Sequence, residues 1–198
     1  MNLFKNGVKM AVKMIFVMLL SFFLYFSINV IISAITNHAG RTACLIIGQI
    51  FALILVIVFA GTPLYTQGMT YKNLVKIGRE KKDVLKGLKI GLIGNFPFFV
   101  LFIIYAVMTV TENTSFRTAW YTLLNSHYFA LYSWIAGNAE VTSELHAWQL
   151  CLYLVIQFLA PVISAIAFLL GFQDKLHLGK LIHDTTHNMI YKKEEDKK

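Results

Sequence analysis

The chain has 198 residues, of which 57% are hydrophobic and only 14% charged, with a formal net charge of +8. Soluble domains carry about 25% charged residues, so the shortage of charge points to a chain solvated by lipid rather than water. The surplus of Lys and Arg is concentrated between long apolar runs, which argues against nucleic acid as a partner, and two cysteines cannot make a disulfide scaffold.

Lys5, Lys9 and Lys13 precede the first apolar run, Met14 to Ile35. The apolar core of a signal peptide is about 7–15 residues and ends at a small-residue cleavage site. This run is longer, and Ser33-Ala34-Ile35 fits such a site poorly. It reads as a retained transmembrane helix over 14–35, rising about 33 Å across a core of about 30 Å. The polar link Thr36–Thr42 is too short for a domain, so the second run, 43–65, returns as the other arm of a hairpin. Gly61-Thr62-Pro63 reads as its exit from the membrane, because a lost backbone donor costs least near a helix end.

Residues 66–89 form a basic loop, with seven Lys or Arg opposed only by Glu80 and Asp83. Leu74, Val75, Ile77, Val84, Leu85 and Leu88 give it an apolar side, so it is expected to fold back along the membrane surface. The third span covers 90–110. Gly87 and Gly91 are a small-x-x-x-small pair of the kind that lets helices approach closely, and Asn95 with Pro97 predicts a kink.

Residues 111–146 make the longest segment between spans. Trp120, Tyr121, Leu124, Tyr128, Leu131 and Ile135 recur at helical steps, with Thr118, Thr122, Asn125, Ser126 and Ser133 largely between them. The pattern predicts an amphipathic helix lying along the outward membrane surface or dipping slightly into it. Trp120, Tyr121, Tyr128, Tyr132 and Trp134 would be its interfacial anchors, since these rings prefer the headgroup level. The fourth span, 147–172, contains Pro161, expected to bend it, and the small pairs Ala160/Ser164 and Ala167/Gly171. The tail, 173–198, reads as a short amphipathic helix with a disordered end.

Sixteen of the eighteen Lys and Arg lie in the N-terminal arm, the basic loop and the tail, and only Arg41 and Arg117 on the other side. The positive-inside bias therefore places both termini in the cytoplasm of a multi-pass cell-membrane protein. The fold class expected is an all-α integral membrane protein: one domain of four transmembrane helices plus one outward interfacial aromatic helix.

The four spans hold no Asp, Glu, Lys, Arg or His, which argues against a proton relay or ion pump. Each holds an amide well inside its ends: Asn29, Gln49, Asn95 and Gln157. Interhelical hydrogen bonding, worth about 0.6 kcal/mol on average in membranes, accounts for them first, and the lining of a small-molecule cavity second. His127, Glu140, Glu144 and His146 lack metalloprotease spacing and read as a solvated approach to the last span. His183, Asp184 and His187 have ligand-like spacing but no second cluster to complete a coordination sphere. Cys44 and Cys151 read as small packing residues, with pairing open only if their helices meet. Asn113-Thr114-Ser115 is a formal glycosylation sequon.

No P-loop, Rossmann, GxSxG or CxxC pattern occurs, so no catalytic, cofactor or metal residue is expected. The leading expectation is a non-enzymatic accessory or regulatory component of a membrane complex such as a transporter. Its partners would be the bilayer and a protein partner or further copies of itself. The alternative is a transport or substrate-binding subunit with an amide- and aromatic-lined cavity, and a membrane-embedded enzyme is least favoured.

Overall fold

The computed structural model describes residues 2–34, 38–111, 118–137 and 144–173. The sequon, Glu140 and the tail with His183 and His187 lie outside the described residues. All described elements are helical: α1 (Leu3–Ala34), α2 (His38–Val56), a π-helical turn (Ile57–Gly61), α3 (Thr62–Lys76), α4 (Lys86–Val110), α5 (Thr118–Leu124), a 3-10 turn (Ser126–Tyr128), α6 (Phe129–Ala136), α7 (Ala147–Gln157) and α8 (Leu159–Gln173). They make four rods long and apolar enough to cross a membrane: Leu3–Ala34, Ala39–Lys76, Lys86–Val110 and Ala147–Gln173. The shortest has 25 residues and rises about 38 Å, more than the hydrocarbon thickness. Phe23, Phe26, Val30 and Ile31 stand exposed on α1, as a lipid solvent requires.

The second rod does not end at Gly61-Thr62-Pro63 but runs on to Lys76. Pro63 has no N–H to give and its ring crowds the carbonyl four residues back. The backbone answers by widening: the Thr62 N–H bonds the Ile57 carbonyl, five residues back, and Pro63 falls in the first turn of α3. A π turn is a known way to absorb such a fault. Pro161 likewise falls in the first turn of α8, and the rod is broken just before it at Phe158 rather than smoothly bent.

The basic loop correspondingly shrinks to residues 77–85, because 66–76 are helix and α4 begins at Lys86. α3 stops in a Schellman motif: Arg79 N–H bonds the Leu74 carbonyl at 3.0 Å and Gly78 N–H bonds that of Val75 at 3.1 Å. Gly78 sits at φ +73°, a conformation that favours glycine. Tyr71 then pins the turn, its hydroxyl donating to the Lys81 carbonyl and accepting from Asp83 N–H at 3.0 Å. Lys86 stands 4.0 Å over the Tyr71 ring and pairs with Glu80 at 3.0 Å, while Lys89 pairs with Asp83 at 2.8 Å. The Lys89 ammonium holds the Asp83 carboxyl below the usual carboxylate range. Val75 packs on the core, whereas Ile77, Val84 and Leu85 are exposed.

The small residues are used within the chain. A Cβ at Gly68 would fall on the Phe168 carbonyl, and one at Gly171 on the Tyr65 carbonyl, so α3 and α8 meet backbone to backbone. Gly91 makes room for Pro161 and Ser164, and Gly87 for Phe168, which seats α4 on α8.

The largest departure concerns 118–136. These residues form no continuous surface helix. α5 and α6 are the arms of a short hairpin that enters between the long rods and returns. The pairing with the fourth rod gives its depth. Gln149 Nε2 donates to the Ile135 carbonyl at 2.6 Å, Tyr153 Oη to the Tyr132 carbonyl at 3.0 Å, and Gln157 Nε2 to Asn125 Oδ1 at 2.9 Å. From Ala147 to Gln157 the chain descends about 15 Å. Ser126 at the tip donates to the carbonyl of Met18, midway along α1, at 2.6 Å. The tip is therefore level with the middles of the long helices.

Candidate functional site

The hairpin tip, Asn125 to Tyr128, is where backbone groups leave helical pairing at that depth. Asn125 and Tyr128 have φ/ψ of −111°/38° and −123°/16°. Two glutamines from opposite sides hold the departure. Gln49 of α2 donates through Nε2 to the His127 carbonyl at 3.0 Å. Its Oε1 accepts from Leu131 N–H at 3.4 Å and from Tyr25 Oη at 3.2 Å. Gln157, the last residue of α7, donates to Tyr121 Oη at 2.7 Å and to Asn125 Oδ1 at 2.9 Å. Both glutamines are buried. An amide suits this work because it offers a donor and an acceptor without a charge to desolvate.

Of the four amides singled out from the sequence, the structure thus brings Gln49 and Gln157 to one place. Asn95 is buried but its amide donates locally to the Gly91 carbonyl at 2.9 Å, and Asn29 is exposed on α1. Cys44 is half-buried, Cys151 is exposed, and both are free.

The expected anchors divide. Tyr121, Tyr128 and Tyr132 have no exposed surface, so they present no ring to a headgroup layer. They pack inside, where Tyr121 stacks on Tyr105 at 4.2 Å and Tyr132 leans on Tyr153 at 4.6 Å. Trp134 is 46% exposed on the hairpin's outer arm. The side chain of Trp120 lies outside the described residues.

His127 was placed by the sequence in a solvated approach, and the structure corrects this. Its side chain has no exposed surface. Phe98 meets the imidazole edge-on at 5.2 Å, and Tyr128 lies 4.2 Å away. Neither ring nitrogen has a hydrogen-bond partner. The missed signal was Asn125-Ser126-His127 itself: three consecutive polar residues inside an aromatic run mark a chain break as readily as a polar face. Glu144 and His146 are exposed at the start of the fourth rod, where the His146 N–H bonds Gln149 Oε1 at 2.7 Å.

Glu80, Asp83 and Glu144 are the acidic residues among those described, and none lies at the tip. Among the described residues, no group of three or more His, Cys, Asp or Glu could hold a metal ion. The site consists of amides, phenols, one hydroxyl and one imidazole, a set that offers hydrogen-bond donors and acceptors without a fixed charge. No family model, no characterised protein and no solved structure shows significant similarity to the chain.

Proposed function

We propose that this chain is a transport or substrate-binding subunit of the cell membrane, with both termini cytoplasmic. The hairpin α5–α6 is its re-entrant element, and the tip is the level at which a small, neutral, hydrogen-bonding solute is met. One observation carries the reading: where the hairpin leaves α-helix its tip is tied to other helices by side-chain bonds, the His127 carbonyl accepting from Gln49, the Ser126 hydroxyl donating to the Met18 carbonyl of α1, and the Asn125 side chain accepting from Gln157. In lipid, non-helical backbone is tolerated only where protein or a watered path covers it, and broken helices at that depth mark substrate sites in transporters. The charge bias of the ends supports the orientation, and a reporter fused to the C-terminus tests it: activity outside the cytoplasm overturns it.

The test of the site is access from water. With Cys44 and Cys151 replaced by alanine, Ser126→Cys is exposed to a membrane-impermeant thiol reagent in sealed vesicles. Slow labelling from one face is expected, with Val30→Cys, which faces outward on α1, inert. If Ser126→Cys is as inert as Val30→Cys at every temperature tried, the tip is a static plug and the reading fails. The accessory-subunit reading keeps one specific support, the exposed Ile77, Val84 and Leu85 on the basic turn. A stoichiometric partner recovered in mild detergent, and lost when all three become serine, favours it instead.

A further inference from the structure

A second polar feature lies away from the tip, where the proline fault in the second rod faces α1. The π turn and the first turn of α3 set Phe59, Ala60, Pro63 and Leu64 against α1 as an apolar floor. Asn6, Lys9 and Lys13 of α1 and Gln67 of α3 complete a pocket of about 50 Å³. By the measure on which about 10–15 Å³ holds one water, the pocket has room for a compact polar group the size of a few waters. Lys9 is exposed at its mouth and Lys13 half-buried within it. Among the described residues no acidic side chain lines it. Gln67 Oε1 is buried without a hydrogen-bond partner. Two lysines that line the pocket with no acidic neighbour there among the described residues favour an anion, and the orphan acceptor of Gln67 favours a donor on the same molecule.

We propose that this pocket is a phosphate site for an anionic phospholipid headgroup, with Lys9 and Lys13 on the phosphate and Gln67 accepting from a headgroup hydroxyl. Lys9 lies in the second turn of α1 and Lys13 one turn deeper, from where its long side chain can reach back toward Lys9; both lie toward the end of the bundle that carries the basic turn 77–85, where Gly7 and Met10 pack against Ile93 and Gly94 of α4. That is the end at which the leaflet presents its headgroups. Phosphatidylglycerol has the required chemistry, a phosphodiester and free hydroxyls. Phosphatidylcholine has the phosphate but neither the net charge nor the donor.

The test uses the full chain reconstituted in phosphatidylcholine vesicles containing spin-labelled phosphatidylglycerol, and reads the fraction of label immobilised on the protein. Wild type is expected to select phosphatidylglycerol over spin-labelled phosphatidylcholine. Lys9→Gln with Lys13→Gln is expected to weaken that selection about thirtyfold, roughly fivefold per lysine. Lys81→Gln with Lys82→Gln, which removes the same charge from the basic turn, leaves it unchanged. Equal loss in the two double variants overturns the site in favour of a diffuse surface potential, and loss in neither overturns it outright. Displacement of the labelled lipid by inorganic phosphate at matched concentration overturns the lipid as the source. Lys9→Gln alone, at an exposed position, is expected to cost about fivefold and keeps the test decisive if the double variant does not fold.

Discussion

Gln49→Leu is the sharpest test of how the hairpin tip is held. Leucine fills nearly the same volume, so the cavity contribution is small and the change reports hydrogen bonding. Wild type makes two well-formed bonds, to the His127 carbonyl at 3.0 Å and from Tyr25 Oη at 3.2 Å, and a longer one from Leu131 N–H at 3.4 Å. At about 0.6 kcal/mol each, the average inside membranes, the substitution costs roughly 1–2 kcal/mol. A buried group left unpaired can cost about 1–3 kcal/mol, and the tip offers the His127 carbonyl little alternative because its chain is a single 3-10 turn there rather than α-helix. The larger figure should prevail, and about 3 kcal/mol is expected, a shift of over a hundredfold in the unfolding equilibrium. The assay is equilibrium unfolding in lipid bicelles by steric trapping, with Asn29→Leu as the reference. Asn29 is exposed on α1 and engages nothing at the tip, so its removal should lie within about 0.5 kcal/mol of wild type. Equal effects of the two substitutions would mean that the tip does not depend on side-chain capture, and the reasoning would be refuted.

Gly68→Leu should prevent native packing of α3 on α8, because its first carbon falls on the Phe168 carbonyl; a cost above about 3 kcal/mol, or no folded protein in detergent, is expected, whereas near-wild-type stability would deny the backbone contact. Tyr71→Phe removes the hydroxyl shared by the Lys81 carbonyl and Asp83 N–H; limited proteolysis should then cut 77–85 faster with the rods intact, and an unchanged rate counts against the staple. Asp83 has a depressed folded pKa because of Lys89. Its stabilisation is therefore present above the unfolded value near 4 and is lost as pH falls through the folded value. The group is well exposed, so the effect is small, and Lys89→Met should flatten the acid limb of the turn's proteolysis profile if the pair causes it.

The four long rods were legible in the sequence because lipid imposes one demand on every residue of a span, and a run of twenty apolar residues states it without ambiguity. Their ends were less legible. Pro63 looked like an exit because a proline normally costs an interior hydrogen bond, and nothing in the sequence says that Ile57–Gly61 will widen to absorb it. The basic turn looked longer than it is because the polar helical segment carrying Lys72 and Lys76 reads like a loop until the Gly78 stop is weighed. The hairpin was hidden by its periodicity. Tyr121, Leu124 and Tyr128 keep helical spacing whether the segment lies flat or dives, and only the partners of the rings separate the two. Those partners, Tyr105 and Tyr153, are far away in the chain and inconspicuous within apolar runs. Gln49 and Gln157 were visible as exceptions, but that they meet one tip from opposite sides is a property of the fold alone.

The level of the tip concentrates more than one fault. Pro97 of α4 withdraws a donor from the carbonyl of Ile93 and stands next to Phe98, which packs on His127. Pro161 sits just past the break at Phe158, and that break begins at Gln157, which holds Asn125. Two elements, the hairpin and the fourth rod, thus break their α-helical pairing at the level where the unbroken α4 lacks one bond, and side chains hold the tip there. A helix held by its own ladder can open only by unwinding. A tip held by Gln49, Gln157 and Ser126 can open by rotating three side chains, provided another hydrogen-bonding molecule takes their places. Such exchange needs neutral donors and acceptors rather than ion pairs, because a charge uncovered at that depth costs several kcal/mol. Among the described residues the tip carries amides and hydroxyls and no Asp, Glu, Lys or Arg, a composition compatible with the proposed site for an uncharged polar solute.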